Sequence, residues 1–325
     1  MKKKISVIFF TFKRAILLDY AISALIKNTG HLINYPINII YNYDQAHHAS
    51  YLKLKKKYRN KIKFYKRQKK SIFQNFFHFF RIFNLFWLIR YPMMFKNFDN
   101  FKQILEKILN LKKSNLVMLC TDDTIFYRKV NISSGVLDKI IKNKKKYFFR
   151  TNFGLGLRGI YRAKRNSYKF YKINRAKFIT WNSDDDNLNF HMKYHFQVEG
   201  AIYHRKSLLN FLKPIIYHNP VTLEAIGFRE AKYRGFFKTT ISETNRTAVT
   251  YEINSVQKVT NLRFNYRLQL SPLIMMKAYL NNYVLYDLVP AREKNFSKII
   301  PNVVYVIKNK EKNNNKKNIL NLKIK

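Results

Sequence analysis

Hydrophobic runs alternate with amphipathic stretches through the first part of the chain. Residues 5–11 are rich in β-branched and aromatic side chains, as expected of a buried strand, and residues 36–43 predict a second one. Between them, apolar residues recur at helical spacing over 15–29, with Gly30 at the place of a helix C-cap. A Lys-rich helix is predicted over 49–58. The pattern therefore predicts the order strand, helix, strand, helix.

A third buried strand is predicted over residues 116–120, behind an amphipathic helix at 101–108 that is capped by Asp99 or Asn100. Alternation of this kind is typical of an α/β fold with a mixed, mainly parallel sheet flanked by helices. Such sheets bind ligands beyond the carboxyl ends of their strands. The polar residues expected at that edge are Thr11, Asp44, Asp122 and Asp123.

The second half of the chain is less regular. Strand and turn are predicted over 147–157, and a polar loop over 178–189 holds Trp181 and the aspartates at 184–186. A helix over 218–232 is predicted from its cap residue Asn219 and the proline that follows. The remaining predicted elements are a strand over 200–204 and helices over 207–212 and 272–282.

The elements suggest a main domain with a smaller helical extension. We expect one domain over 1–235, with a donor half over about 1–130 and an acceptor half over about 131–235. An extension packed on it is predicted over 236–307. A Lys/Asn-rich tail follows over 308–325.

The chain has 63 Lys and Arg against 18 Asp and Glu, a net charge of +45. Nucleic acid and an anionic membrane surface are both suitable partners for such a charge. The excess is mostly Lys in scattered runs, which is also typical of an A/T-biased genome. Arg and aromatic residues do not alternate as in a nucleic-acid reader, so we expect no specific nucleic acid and keep a basic nucleic-acid-binding protein as the alternative.

Cys120 is the one cysteine of the chain, which excludes an internal disulfide and a Cys-cluster metal site. A cytoplasmic location is the expectation. The most hydrophobic segment, 76–98, is interrupted by Arg81 and Arg90 and is too short between them to span a bilayer. A core helix and a helix lying in the membrane interface both fit it, and the second would attach the protein peripherally to the inner face of the cytoplasmic membrane.

Asp122 and Asp123 stand side by side between two apolar runs, in NLVMLCTDDTIFYR. Paired carboxylates at a strand end suit Mg²⁺ or Mn²⁺, which bridge protein oxygens to phosphates. Two turn-forming aspartates that cap a strand are the alternative.

Four segments resemble family 2-type glycosyltransferases with the GT-A fold, and they occur in the family's order over 5–235. They are ISVIFFTFKRAILLDYAISALIKNT, NLVMLCTDDTIFYRKV, EGAIYHRKSLLNFL and NPVTLEAIGFREAKYRG, and the later INSVQKVTN is similar to a segment of bacterial members. The resemblance implies transfer of a sugar from a nucleoside-diphosphate donor to a glycan or lipid-linked saccharide, with inversion, in cell-surface polysaccharide synthesis.

The resemblance also implies roles for individual residues on the donor side. Thr11, Phe12 and Arg14 match the turn that touches the donor nucleotide, and Asp44 matches the acid that reads the base. Asp122 and Asp123 match the acids that bind the divalent cation and the nucleotide. The usual motif is Asp-x-Asp, and Cys120 stands at the place of its first acid.

On the acceptor side, Glu224 matches the acid expected to act as general base. Glu199 is the second choice for the base, and the aspartate run at 184–186 is a third, which also suits a solvated loop or an acceptor lid. Gly200 belongs to the acceptor-side strand. Trp181 suits either stacking on a sugar or core packing.

Overall fold

The computed structural model describes residues 4–68, 99–111, 114–155, 167–173, 176–250 and 271–285, together with the backbone of 306–308 and 319–320. The Phe-rich segment 76–98 and the segment INSVQKVTN at 253–261 lie outside the described residues.

One nine-stranded sheet forms the centre of the protein. Its strands are β1 (Ile5–Phe12), β2 (Ile33–Asn42), β3 (Ile62–Lys66), β4 (Leu116–Thr121), β6 (Tyr147–Arg150), β7 (Lys169–Ile173), β8 (Ala176–Asn182), β9 (Ala201–His204) and β10 (Thr239–Glu243). Their order across the sheet is β3-β2-β1-β4-β9-β6-β10-β8-β7. The first four are parallel, β9 runs antiparallel to β4 and β6, and β10 is parallel to β6 and antiparallel to β8.

Two smaller sheets accompany it. β5 (Thr124–Phe126) pairs with β11 (Ala248–Thr250), and β12 (Tyr283–Leu285), β13 (Val306–Lys308) and β14 (Ile319–Leu320) form an antiparallel group. Both β10 and β11 follow residue 235 and pair with strands that precede it. The central sheet therefore includes residues beyond position 235.

The described helices cover the sheet on both faces. They are α1 (Ala15–Thr29), α2 (His48–Lys57), α3 (Phe101–Asn110), α4 (Ser134–Lys142), α5 (Arg205–Leu212), α6 (Pro220–Tyr233) and α7 (Pro272–Leu280). Along β1, Val7 and Phe9 join one buried cluster with α1, α2, α4 and α7, whereas Ile8 and Phe10 join another with α3, α5 and α6. Alternate residues of a strand face opposite sides, so a continuous apolar strand needs helices on both.

The predicted α/β class, with a mainly parallel sheet flanked by helices, is confirmed. The helix over 15–29 has the predicted bounds, and α6 begins with the predicted cap, in which the Asn219 side chain accepts from the Thr222 N–H. The polar loop predicted over 178–189 is wrong in its first part, because β8 continues to Asn182. β8 pairs with β10, and its consecutive residues Phe178 and Ile179 are buried on opposite faces of the sheet.

Candidate functional site

Polar residues from distant parts of the sequence meet at the carboxyl edge of the parallel strands. Thr11 is paired with Tyr41 near the end of β1, and Asp122 follows β4 directly. Because β9 is antiparallel, its first residues arrive at this edge as well, where Gly200 N–H donates to Leu119 O at 2.8 Å. Glu199 therefore lies next to the strand that carries Asp122.

Arg14 holds the two adjacent carboxylates together. Its Nε donates to Asp122 Oδ2 at 3.1 Å, and its Nη1 donates to Asp123 Oδ2 at 3.1 Å. Its Nη2 lies 2.5 Å from Asp122 Oδ1 as an ion pair without hydrogen-bond geometry. A planar guanidinium suits this task, since its fork of N–H groups can serve two carboxylates at once.

Asp122 is also the end of a chain of hydroxyl groups. Thr11 Oγ1 donates to Asp122 Oδ2 at 2.7 Å, and Tyr51 OH lies 2.9 Å from Thr11 Oγ1. Because the Thr11 hydrogen points at the carboxylate, the Tyr51 hydroxyl donates to Thr11. Thus α2, β1 and the turn after β4 are tied to one buried acid.

Two buried carboxylates face one guanidinium in this cluster. Burial raises the pKa of the Asp122 carboxyl, the neighbouring Asp123 raises it further, and Arg14 opposes this rise. Both Asp122 Oδ1 and Asp123 Oδ1 are buried and receive no hydrogen bond from the described residues. A positive ligand would compensate for the second carboxylate and for the missing hydrogen bonds of the two Oδ1 atoms.

A divalent cation fits these two oxygens in charge and in ligand type. Within the described residues, no group of three or more His, Cys, Asp or Glu side chains is arranged to hold a metal ion. Cys120, at the place of the family's first acid, is buried in the apolar cluster beneath α1. Within the part of the chain that the structure describes, the site therefore offers two acidic ligands.

Asp44 lies at the same edge in a basic setting. Lys13 Nζ is 2.7 Å from Asp44 Oδ2, and His47 Nδ1 contacts Asp44 Oδ1. These contacts lower the pKa of Asp44 to about 2, the hydrogen bond from Lys13 contributing most. Lys13 takes a positive φ of 57° directly after β1, which turns the chain toward Asp44. The half-exposed carboxylate stays ionised and accessible.

A second acidic cluster contains both residues considered for the general base. Thr250 Oγ1 donates to Glu199 Oε2 at 2.8 Å, and Asn152 Nδ2 donates to the same oxygen at 3.3 Å. The Val198 N–H donates to Glu224 Oε1 at 3.4 Å. The short segment 198–199 thus brings the two carboxylates into one neighbourhood.

Arg150 provides the positive charge of this cluster. It ends β6, is 4% exposed, and donates from Nη1 to His191 O at 2.5 Å. Burial lowers the pKa of Arg150 to about 10, and the charges of Glu199 and Glu224 act in the opposite direction. Arg150 therefore stays protonated at neutral pH and stabilises the ionised form of both acids.

Gly200 makes this geometry possible. Its φ is +70°, and a Cβ atom there would lie 2.2 Å from Thr151 Oγ1. Thr151 Oγ1 in turn donates to Gly200 O at 2.9 Å. The close approach fixes the turn that presents Glu199 before β9 begins.

Trp181 and the aspartate run lie elsewhere. Trp181 is paired with Thr240, is 3% exposed, and donates from Nε1 to Met192 O at 2.8 Å. Its ring packs on Phe153 at 4.7 Å between centroids. This burial favours the packing alternative, and the acceptor role of Trp181 stays a prediction.

The aspartates at 184–186 follow β8 at the opposite edge of the sheet, where Ser183 N–H donates to Lys238 O just before β10. Asp184 contacts the buried His195 Nε2 at 2.7 Å and Lys238 Nζ at 3.1 Å. Asp184 is therefore anchored away from the two acidic clusters, and the lid and base alternatives for the run stay predictions.

Sequence reasoning missed four residues of the two clusters: Tyr51, Arg150, Asn152 and Thr250. Arg150 lies in the segment 147–157 predicted as strand and turn, and nothing in the local sequence sets it apart from the other basic residues of the chain. Tyr51 and Thr250 carry no signal in the sequence either.

No protein-family model matches the chain, and no curated protein matches it. One similar solved structure is 4-diphosphocytidyl-2C-methyl-D-erythritol synthase from Anaerococcus prevotii DSM 20548, with 10% identity over 86% of this chain and 96% of that chain, at a TM-score of 0.34. Another is TarS of S. aureus, with 12% identity over 75% of this chain and 36% of that chain, at a TM-score of 0.39. At these scores neither likeness bears on the activity of this chain.

Among the described residues, no helix has both the length and the apolar character needed to cross a bilayer.

Proposed function

We propose that this protein is a glycosyltransferase that moves a sugar from a nucleoside-diphosphate donor to a glycan or lipid-linked saccharide, with inversion. The observation that carries the proposal is the meeting of two clusters at one sheet edge. One cluster pairs Arg14 with Asp122 and Asp123, and the other holds Glu199 and Glu224 at the segment 198–199, with the buried Arg150 near enough for its charge to act on both. The first cluster would bind the diphosphate of the donor, and the second would remove the proton of the acceptor hydroxyl.

The first cluster would receive the diphosphate of the donor. Arg14 and Lys13 supply positive charge for its oxygens, and Thr11 and Phe12 shape the turn that the nucleotide meets. Asp44, kept ionised and accessible, would accept a hydrogen bond from the base. The roles of Thr11, Phe12, Arg14 and Asp44 follow the family resemblance, that of Lys13 follows from its charge beside Asp44, and the placement of all five residues at one edge supports them.

Asp122 Oδ1 and Asp123 Oδ1 would hold a divalent cation, Mn²⁺ or Mg²⁺. When bound, the cation would offset the charge that develops on the departing diphosphate. Arg14 touches the same carboxylates, so it would share them with the cation or turn toward the diphosphate.

In the second cluster, Glu224 would act as the general base. Glu199 is the second candidate for that role. The acceptor hydroxyl oxygen forms a bond to the anomeric carbon, the bond from that carbon to the diphosphate breaks, and the hydroxyl proton passes to the carboxylate. Glu199 already accepts hydrogen bonds from Thr250 and Asn152, which favours a positioning role for it. Gly200 fixes the turn between the two clusters.

The net charge of +45 supports attachment to the inner face of the cytoplasmic membrane, where lipid-linked acceptors for surface polysaccharides are made. The same charge would suit nucleic acid, which is the competing function.

A thermal-shift panel with UDP, GDP, CDP and their sugars, with and without Mn²⁺, tests the donor site. We expect one nucleotide class to raise the melting temperature, and Asp123→Ala to remove the Mn²⁺-dependent part of the rise. If no nucleotide stabilises the protein while random DNA binds it with steep salt dependence, the nucleic-acid function replaces this one.

A further inference from the structure

An aromatic surface, exposed at Phe190 and half-buried at its other members, borders the second acidic cluster. It consists of Phe190, His191, Tyr194 and Phe228, and we call it the aromatic patch. Phe190 lies in the loop between β8 and β9 and is 63% exposed. Its ring meets the edges of His191 at 5.6 Å and Tyr194 at 5.2 Å between centroids. So large an exposed fraction is not explained by core packing.

The rings of the patch are arranged as a surface. The rings of His191 and Tyr194 are stacked and nearly parallel, with 7° between their planes and 6.2 Å between centroids. Phe228 packs on Tyr194 at 5.0 Å. The patch therefore combines contacts from the loop and from α6.

Three links join the patch to the acidic cluster. Phe228 lies four residues after Glu224 on α6, so both side chains lie on one helix face. Arg150 donates to the main-chain oxygen of His191. The charges of Glu224 and Glu199 act on Tyr194, whose pKa is raised to about 12, chiefly by burial.

The patch has no charge of its own at neutral pH. Burial and the nearby Arg150 lower the pKa of His191 to about 4, so its ring is neutral. An apolar aromatic surface beside two carboxylates and a buried guanidinium matches a pyranose ring, which has a face of C–H groups and an edge of hydroxyl groups. Stacking of the C–H face would direct hydroxyls toward Glu199 and Glu224.

We propose that the aromatic patch is the subsite that binds a pyranose ring of the acceptor, with one hydroxyl directed at the acidic cluster. The proposal rests on the proposed function and adds to it the residues that recognise the acceptor. A mainly apolar protein partner would use the rings without the carboxylates, and it predicts no contact with a glycoside.

Saturation-transfer NMR on the full chain measures the contact directly. The probes are the methyl pyranosides of glucose, galactose, mannose and N-acetylglucosamine. With irradiation of aromatic protons, we expect saturation of the C–H protons on one face of at least one glycoside. Phe190→Ala should reduce this signal several-fold. The matched control is Phe170→Ala, which removes a ring 64% exposed on β7 and should leave the signal unchanged.

The proposal is overturned if no glycoside is saturated, if Phe190→Ala retains the wild-type signal, or if Phe170→Ala reduces it equally. The nucleotide panel, run on the same samples, separates this failure from failure of the proposed function. A nucleotide shift without glycoside contact rejects the subsite alone. Glycoside contact at Phe190 without any nucleotide shift retains the subsite and rejects the transferase. Unchanged melting temperatures of the two variants without ligand show that both are folded.

Discussion

Thr11 Oγ1 donates a hydrogen bond of 2.7 Å to Asp122 Oδ2 across 111 residues of sequence. The bond joins the end of β1 to the turn after β4, and Tyr51 extends it to α2. It places the first residue of the predicted nucleotide turn directly on the predicted metal ligand. The donor site is therefore one connected polar unit.

Thr11→Val tests this connection. Valine has the shape of threonine without the hydroxyl, so Asp122 loses one hydrogen bond and the Tyr51 hydroxyl loses its acceptor, while the backbone keeps its geometry. We expect the free energy of unfolding to fall by about 1.5–3 kcal/mol, the range for hydrogen bonds to charged groups. Urea denaturation measures it. The control is Thr180→Val, which removes a hydrogen bond to the uncharged Thr240 O and should cost about 1 kcal/mol. An equal fall in the free energy of unfolding for the two variants would show that the bond to the Asp122 carboxylate is no stronger than a bond to an uncharged carbonyl.

Arg14→Gln should destabilise the protein by about 3–5 kcal/mol, because it leaves two adjacent buried carboxylates without their counter-ion. Adding Asp123→Asn should recover part of this loss, since the double variant has a single carboxylate left. A double-mutant cycle by chemical denaturation gives the coupling. Additive losses would contradict the ion-pair geometry.

Glu243 gives the fold a defined pH dependence. Burial raises the pKa of this carboxyl from 4.5 to about 7, although the Asn131 N–H donates to it. A raised pKa means that the folded state holds the proton longer than the unfolded state. Its ionisation therefore destabilises the fold as pH rises from about 4.5 to 7.

Glu243→Gln should raise the free energy of unfolding at pH 8, by at most about 3 kcal/mol, and leave it nearly unchanged at pH 4.5. Urea denaturation of both proteins at the two pH values measures the difference. A variant that is equally or less stable than wild type at pH 8 would contradict the burial of the charge.

Gly200→Ala should destabilise the turn before β9 by more than about 2 kcal/mol, because the left-handed backbone and the clash with Thr151 act together. Gly235→Ala is the matched control. Gly235 has nearly the same φ, +68°, and its nearest neighbour is the flexible Lys238 side chain at 3.2 Å. Melting temperatures should fall further for Gly200→Ala than for Gly235→Ala, and the reverse order would refute the close approach.

Most of the parallel half of the fold could be predicted because its signals are local, although the short strand β3 was missed. Continuous apolar runs mark β1, β2 and β4, helical spacing marks α1, and Asn219 with Pro220 marks the start of α6. The convergence of Thr11, Asp44 and the aspartate pair followed from the rule that parallel strands end at one edge.

The antiparallel half could not be predicted in the same way. The direction of β9 depends on pairing with β4 and β6, which no local pattern reports, and β5 and β11 are three residues long and distant in sequence. Arg150 could not be told apart from the many other basic residues of the chain, since its role comes from burial beside Glu199 and Glu224. Trp181 was assigned to a loop because a polar run follows it, although β8 buries it.

The most direct test of the proposed chemistry is release of nucleoside diphosphate from UDP-, GDP- or CDP-sugars in the presence of bacterial lipid-linked saccharide extracts. Wild-type protein should release one diphosphate with transfer of the sugar to lipid. Glu224→Gln should bind the same nucleotide, by thermal shift, and lose transfer, whereas Glu199→Gln should retain measurable transfer. Full turnover by Glu224→Gln would assign the base to Glu199. No diphosphate release from any donor by the wild-type protein would contradict the glycosyltransferase.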